Sequence, residues 1–348
     1  MKNVFANRLK QARIMQGFSM EQLCNKMNNI ITRQSISKYE IGKMMPDSTT
    51  LISLSNALGV SVDYFFRPLT ITIENVEFRK KSHLSAKQID SIKEIVKDKL
   101  ERYFEIESIF DIRTKFLYSA LSILTEEDIY SIVNQIKKDW KLGEDGINNL
   151  IEVLEENNIK VIEIDAPSSF DGLSGSVNSE SAVIVLNQNL DAESKRFTAL
   201  HELGHLLLHF DESITEKQKE SFCNLFASEM LISREVFINK IGMNRHDISL
   251  KELQDIQTQY GISIDTLMYK AKSLNIITPN RYKTYFINKN NKPQFKESVE
   301  MSRYKREESS RFERLVFRAL ASEVISISKA STLLNLSVNE VRNQLNLV

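Results

Sequence analysis

The sequence predicts a mainly α-helical chain with a small β-sheet, an α+β fold. Three observations predict it. Ten Gly and five Pro among 348 residues are few, so the chain carries little of the punctuation that interrupts helices. Most of its length shows apolar residues at the three- and four-residue spacing of a helix face. Strand-like patterning is confined to short stretches, three of them consecutive: IKVIEI, DGLSGSV and SAVIVLN.

A chain of 348 residues is long enough for two or three domains. Apolar content of 42% and charged content of 26% are ordinary for soluble globular protein. No apolar run approaches the ~18 residues of a membrane span, and no membrane partner is expected. The opening MKNVFANRLKQAR lacks the apolar core of a signal peptide. Cys24 and Cys223 are far apart and suggest no disulfide framework, so a reducing cytoplasm is the expected location. The formal net charge is zero but unevenly spread. Residues 1–68 hold nine Lys/Arg against four Asp/Glu, an excess of five, which the remaining 280 residues must balance. A basic head on an acidic body points to one end meeting a polyanion.

The head, residues 1–68, reads as short amphipathic helices. Phe5, Leu9 and Ala12 share a face with Arg8 and Arg13 beside it, and Gly17 ends that helix. Ser19 can cap the next, with Met20, Leu23 and Met27 inward. After NNII, Thr32 can cap a third helix. Ile36 and Tyr39 point inward there, while Arg33, Gln34, Ser37 and Lys38 point outward. Gly42 and Pro46 stop it, and TTLISLSNALG and SVDYFF supply two more. Arg and Gln at the start of an exposed helix suit major-groove reading, since Arg pairs with guanine and Gln with adenine through two hydrogen bonds each. Lys38 and Lys43 suit phosphates. The stretches FANRLKQARIMQGFSMEQL, QSISKYEIGKMMPD and LSNALGVSVDYFF closely resemble the Xre/Cro-type helix-turn-helix domain. The resemblance implies binding of double-stranded operator DNA through Arg33, Gln34, Ser35, Ser37, Lys38 and Lys43.

Residues 69–119 read as a linker strand, LTITIENVEFRKK, and one long helix, SAKQIDSIKEIVKDKLERYFEIESIF. Ile89, Ile92, Val96, Leu100, Tyr103 and Phe104 form its apolar stripe. The charges flanking the stripe are expected on a solvated face. The helix serves as a packing surface or as a dimerisation arm, because helix-turn-helix heads commonly read paired half-sites as homodimers.

Residues 120–285 form the body. TEEDIYSIVNQIKKDWKLG, with Thr125 as cap, and GINNLIEVLEENN read as helices. The three strands follow, and then a helix from about Asp191 to Phe210 that contains TALHELGHLLLHF. Its His201 and His205 are four residues apart, so both imidazoles leave one face, one turn apart. That spacing lets two nitrogens reach one Zn²⁺. Glu202 lies one residue on, about 100° round the helix, beside the metal rather than on it. A carboxylate there can take a proton from a water activated at the metal and return it to a leaving amine. Leu203, Leu206 and Leu207 supply the buried side. Gly204 is expected to make room for a neighbouring strand or substrate, and His209 to lie outside the ligand set. A third ligand is needed. Glu220 and Glu229 on the following helix both qualify; Glu220 shares a small polar strip with Asn224 and Ala227, while Glu229 sits nearer Phe222 and Phe226.

RFTALHELGHLLL followed by ESFCNLFASEMLIS resembles the ImmA/IrrE metallopeptidase family. The resemblance implies Glu220 as third ligand, with Glu202 catalytic. It implies a gluzincin-like fold with helices around a small sheet, whose edge strand holds an extended peptide by added-strand pairing. DGLSGSV is the candidate edge, which makes Gly172, Leu173, Ser174 and Gly175 substrate-binding. The implied activity is that of a zinc metalloendopeptidase acting on a regulatory protein such as a repressor, after stress or during mobile-element induction. The alternative is a non-enzymatic regulator, or an antitoxin whose peptidase-like domain senses a ligand or binds a partner such as a toxin.

Beyond the motif, DISLKELQDIQTQYGISIDTLMYKAKSLNII reads as two helices around Gly261. In the helical C-terminal region, residues 286–348, NKNNKP reads as a loop. A helix built on Phe312, Leu315, Val316, Leu320 and Val324 follows, and then a helix–turn–helix. Its lack of basic excess favours a packing role over DNA binding.

Overall fold

The computed structural model describes residues 2–68, 84–112, 115–116, 121–177 and 181–345. The strand expected in LTITIENVEFRKK lies outside them. In chain order the first elements are α1 (Lys2–Met15), α2 (Met20–Lys26), α3 (Arg33–Glu40), α4 (Ser48–Leu58), a 3₁₀ turn (Val62–Phe66) and α5 (Ala86–Ile109). Then come β1 (Leu121–Ile123), α6 (Glu126–Asp139), α7 (Leu150–Glu156), β2 (Ile159–Ile164), β3 (Gly172–Val177) and β4 (Ser181–Asn187). The motif helix is α8 (Ala192–Leu207), followed by β5 (Leu208–Phe210), α9 (Glu216–Leu231), α10 (Arg234–Ile241), α11 (Leu250–Tyr260), α12 (Ile264–Ser273), α13 (Pro279–Asn291) and α14 (Pro293–Glu300). The chain ends with α15 (Arg311–Ala321), α16 (Ile327–Leu334) and α17 (Val338–Gln344). The fold is mainly helical with small sheets, as the sequence predicts. Among the described residues, no helix is long and apolar enough to cross a membrane.

The chain divides into two compact units. Residues 2–68, 84–112 and 310–345 make the first; residues 115–116, 121–177 and 181–309 make the second. Residues 310–345 of the C-terminal region therefore pack with the head. In the first unit, Ser19 and Gln22 form a capping box at α2, and the Thr32 hydroxyl accepts from the Ser35 N–H at α3. Phe5, Leu9, Leu23, Ile36, Leu54, Leu58 and Phe65 close the core of the head.

Lys87, Asp90 and Lys93 of α5 are exposed as expected, but not all of its charges lie on a solvated face. Asp98, Glu101, Arg102 and Glu107 are buried. Their partners explain why. Arg8, fully buried rather than beside its helix face, pairs with Glu101 at 2.6 Å. It also donates to the backbone oxygens of Arg67 at 3.0 Å and Pro68 at 2.7 Å. Arg67 bridges Asp98 and Glu101, and Arg102 pairs with Asp98 at 2.8 Å and donates to the Leu333 carbonyl at 2.8 Å. Arg311 of α15 reaches Glu107 at 3.2 Å. Paired in this way, charges can enter a core that would exclude them singly. The tail helices bury Val316, Ala319, Ala330, Leu333 and Val341 around Ile106. Val324, expected in that apolar face, lies past the end of α15 and is exposed.

In the second unit β4 is central, its seven residues all buried, with β2 parallel on one side and β3 antiparallel on the other. Residues buried on both faces of a strand read as a continuous apolar run, as AVIVL does. Helix α8 packs on β3 and β4, and α9 packs on α8. The motif helix stops three residues short of Phe210, because Leu208–Phe210 turn extended and pair in parallel with β1. NKNNKP is not a loop: α13 runs through Asn291 and α14 starts at Pro293, a residue suited to the first turn of a helix.

Candidate metal centre and nucleic-acid surface

Helix α8 is capped by Asp191, whose carboxylate accepts from the Ser194 N–H at 2.7 Å. Its N-terminal half is fixed by buried charges. Lys195 pairs with Glu163 at 2.5 Å and donates to the Glu307 carbonyl at 3.1 Å. Arg196 pairs with Glu307 and donates to the Ile147 carbonyl at 2.9 Å. Buried Glu193 accepts from Gln257 at 2.8 Å and from the Arg303 N–H at 2.9 Å. Leu200, Leu203 and Leu207 complete the anchorage in the core. The next turns therefore leave from a rigid base, as a site needs.

The two imidazoles present Nε2 to one another at 3.1 Å. Glu220, one turn into α9, places one carboxylate oxygen 3.3 Å from His201 Nε2 and the other 3.3 Å from His205 Nε2. Among the described residues these three form the group of His, Cys, Asp and Glu side chains able to hold a metal ion. The sequence left Glu220 and Glu229 open on spacing. Glu229 is buried away from the histidines, paired with Lys270 and accepting the Arg234 N–H at 2.9 Å.

The outer partner of His201 sets its tautomer. His201 Nδ1–H donates to Asn224 Oδ1 at 2.9 Å, so Nε2 carries the lone pair. His205 Nδ1 lies 3.3 Å from the buried Cys223 sulfur, again leaving Nε2 to face Glu220. Two imidazole lone pairs and a carboxylate pointed at one spot form an acceptor cluster that a cation completes. Donors held about 2.0–2.2 Å from one tetrahedral ion lie about 3.3 Å apart, which is the size of the separation between the two nitrogens and of each nitrogen from its nearer Glu220 oxygen. The residues fit a zinc ion. Neither Asn224 nor Cys223 was assigned a role from sequence. The available signal was the strip shared by Glu220 and Asn224, four residues apart.

Glu202 is buried beside the pair and accepts from the Ser174 hydroxyl at 2.8 Å. Ser174 and Gly172 of β3 face Glu202 and Thr198 of α8, two residues apart on the strand and four on the helix. A Cβ at Gly172 would come 2.7 Å from the Thr198 methyl and 2.9 Å from the Val185 oxygen, so the strand lies too close to the helix for any other residue. Leu173 and Gly175 are buried in the same strand. Among the described strands β3 is at the sheet edge. Gly204 faces Cys223 and Phe226 of α9, a helix rather than a strand. His209 is exposed on β5, away from the ligand cluster.

On the head, Arg33, Gln34, Lys38 and Lys43 are exposed, and Ser35 and Ser37 are partly so. The Ser35 hydroxyl is 3.1 Å from the Thr32 cap. Three of the head's nine basic residues are spent internally: Arg8 on Glu101, Arg67 on Asp98 and Glu101, and Arg13 on Glu40 at 2.5 Å. Lys2, Lys10, Lys26, Arg33, Lys38 and Lys43 carry the surface charge.

Comparison with known proteins adds three findings. Residues 9–65 match the helix-turn-helix family model. Residues 154–272 match the model of the IrrE N-terminal-like domain. The HTH-type transcriptional regulator ImmR of Bacillus subtilis is 31% identical over 107 residues, which are 31% of this chain and 79% of that protein. The chain belongs to the ImmR family of HTH-type regulators. This ImmR-family chain combines an Xre-type head with an IrrE/ImmA-like domain. It is also 45% identical over 64 residues to the SPbeta prophage-derived uncharacterized HTH-type transcriptional regulator YonR of the same organism, covering 18% of this chain and 57% of that one. The uncharacterized HTH-type transcriptional regulator YqaE is 36% identical over 64 residues, 53% of its length. The chain thus spans a little over half the length of these two relatives. The apo form of ComR from S. thermophilus aligns over 96% of this chain at 13% identity, with a TM-score of 0.18.

Proposed function

We propose that this chain is a DNA-binding transcriptional regulator whose body is a zinc-dependent endopeptidase that cuts a regulatory protein such as a repressor. The observation that carries this reading is the convergence of His201, His205 and Glu220 within 3.1–3.3 Å of one another, with Glu202 buried beside them. His201, His205 and Glu220 would hold the ion. Bound there, zinc supplies a Lewis acid for the scissile carbonyl and the attacking water.

Glu202 takes a proton from the attacking water and passes it to the leaving nitrogen. The Ser174 hydroxyl occupies Oε2 of that carboxylate at 2.8 Å, fixing the group and leaving Oε1 for the proton. The edge of β3, residues 172–175, aligns an extended peptide by backbone pairing. Residues 1–68 would read an operator, with Arg33 and Gln34 on base edges and Ser35, Ser37, Lys38 and Lys43 at or near the backbone. Paired half-sites would make the working form a homodimer in the cytoplasm.

The test is a zinc-loaded full chain incubated with a mixed peptide library, compared with Glu202→Gln. Wild type should generate new peptide termini; Glu202→Gln should bind the same zinc and generate none. Cleavage that survives in Glu202→Gln would overturn the assigned chemistry. Zinc-replete protein that binds no metal would favour a non-enzymatic regulator.

A further inference from the structure

A cavity of about 440 Å³ lies beside the site and includes Asn224 in its wall. Asn224 belongs to both: its side-chain oxygen holds His201, and it lines the cavity. Ser221, next to the ligand Glu220, is also in the wall, and Phe197, one turn before His201 on the same face of α8, forms another part. The rest of the apolar lining is Tyr130 of α6, Leu225 of α9, Tyr269 of α12, Leu274 just after that helix, and Tyr282 and Phe286 of α13. Of these, Phe197, Leu225, Tyr130, Tyr282 and Phe286 are half-buried and Tyr269 is 51% exposed, so apolar surface from five helices faces an open space. Soluble proteins keep such surface where something binds.

Resting on the peptidase reading, we propose that this cavity is a specificity pocket that takes one bulky apolar side chain of the peptide and so sets which bond reaches Glu202. Size and charge select that occupant. About 440 Å³ is near the small end of ligand pockets, roughly 300–1,000 Å³, enough for a side chain and not for a folded partner. Three of the four charged residues of the lining are matched to protein partners, and the fourth, Glu126 at the start of α6, is exposed to solvent. Lys270 pairs with Glu229 in the interior. Asp265 accepts from Tyr285 and from Lys289, each at 2.6 Å. With the interior charges answered and Glu126 left in solvent at the rim, the inner wall rewards apolar area rather than a charged group. Aromatic and leucine side chains supply the most such area and stack well on Tyr282 and Phe286.

Two measurements on the full chain test this. In the first, chelator-treated protein is titrated with N-acetyl-L-phenylalanine amide and, separately, N-acetylglycine amide, read by ligand-observed NMR. Wild type should bind the phenylalanine amide and not the glycine amide. Leu225→Trp fills the cavity and should weaken binding about tenfold or more. Tyr282→Ala removes one stacking wall and should also weaken the phenylalanine amide. A glycine amide that binds as well as the phenylalanine amide, or two variants that both bind like wild type, would overturn the pocket. In the second, the zinc-loaded protein digests a mixed peptide library. Bulky apolar residues should be enriched at one position beside the cut, and Leu225→Trp should shift that position to small residues. Cleavage with a profile unmoved by Leu225→Trp overturns the pocket. Selective amide binding without any cleavage overturns the peptidase reading and leaves the apolar pocket standing.

Discussion

Replacing Glu101 with glutamine probes the ionic cluster that ties α1, α5 and the tail helices into the first unit. Three guanidiniums, Arg8, Arg67 and Arg102, meet two carboxylates, Asp98 and Glu101, in a nearly dry interior. Glu101 is 2% exposed and lies 2.6 Å from Arg8 and 3.1 Å from Arg67. Without its charge, three cations face Asp98 alone. Breaking a buried pair by removing one partner costs about 3–5 kcal/mol. At about 2–4 °C per kcal/mol for a domain of this size, the transition of the unit should fall by roughly 6–20 °C. Arg8→Met breaks the 2.6 Å pair with Glu101 and the hydrogen bonds to the carbonyls of Arg67 and Pro68, but it leaves two charges of each sign, with Glu101 still beside Arg67. Its cost should be the smaller, about 1–3 kcal/mol. Thermal unfolding of the full chain, followed by calorimetry and circular dichroism, reads both. A Glu101→Gln protein that melts with wild type, or an Arg8→Met protein that is the less stable of the two, would refute the charge count.

Three further outcomes follow from the same structure. Burial pushes the Asp98 carboxyl up, but Arg102 and Arg67 outweigh it and hold the group below its ordinary value. Its stabilising contribution is therefore present above the unfolded value, about 3.9, and is lost as pH falls through the lower folded value; urea midpoints should decline below about pH 4 more steeply in wild type than in Asp98→Asn. Asn224→Ala removes the 2.9 Å hydrogen bond that sets the His201 tautomer, and zinc affinity measured against a chromophoric chelator should drop about 10–100-fold, whereas an unchanged affinity would mean that the bond does not prepare the site. On a duplex selected from a random library, Arg33→Ala should lose about 1–3 kcal/mol and relax the preference at one base, while Lys38→Ala should weaken all duplexes alike and reduce the salt slope by about one; equal effects on every sequence would remove Arg33 from base reading.

Much of this molecule is written in local pattern. The caps at Ser19, Thr32 and Thr125 start α2, α3 and α6 where the side chains say they should. The three strands of the larger sheet fall on the three alternating or continuous apolar runs, and His201 and His205 meet as their helical spacing suggests, with Glu220, which the family resemblance implies, beside them. What escaped is long-range. The partners of the α5 charges are Arg8, Arg67 and Arg311, distant in sequence, and nothing in a Lys/Glu-rich helix says which of its charges will be buried. The β1–β5 pair is three residues a side, too short for a period, so it took the end of the motif helix unannounced. Ser174 looked like part of a peptide-binding edge; its hydroxyl also meets Glu202 because Gly172 lets β3 lie close on α8.

The most direct test of the central claim is the zinc stoichiometry of wild type, Glu220→Gln and Glu202→Gln, measured by elemental analysis after zinc-replete purification and dialysis. The account predicts one tightly held zinc in wild type and in Glu202→Gln, and its loss or a steep fall in occupancy in Glu220→Gln. Zinc retained in full by Glu220→Gln, or lost from Glu202→Gln, would contradict a site built from two imidazoles and that carboxylate with a separate acid beside it.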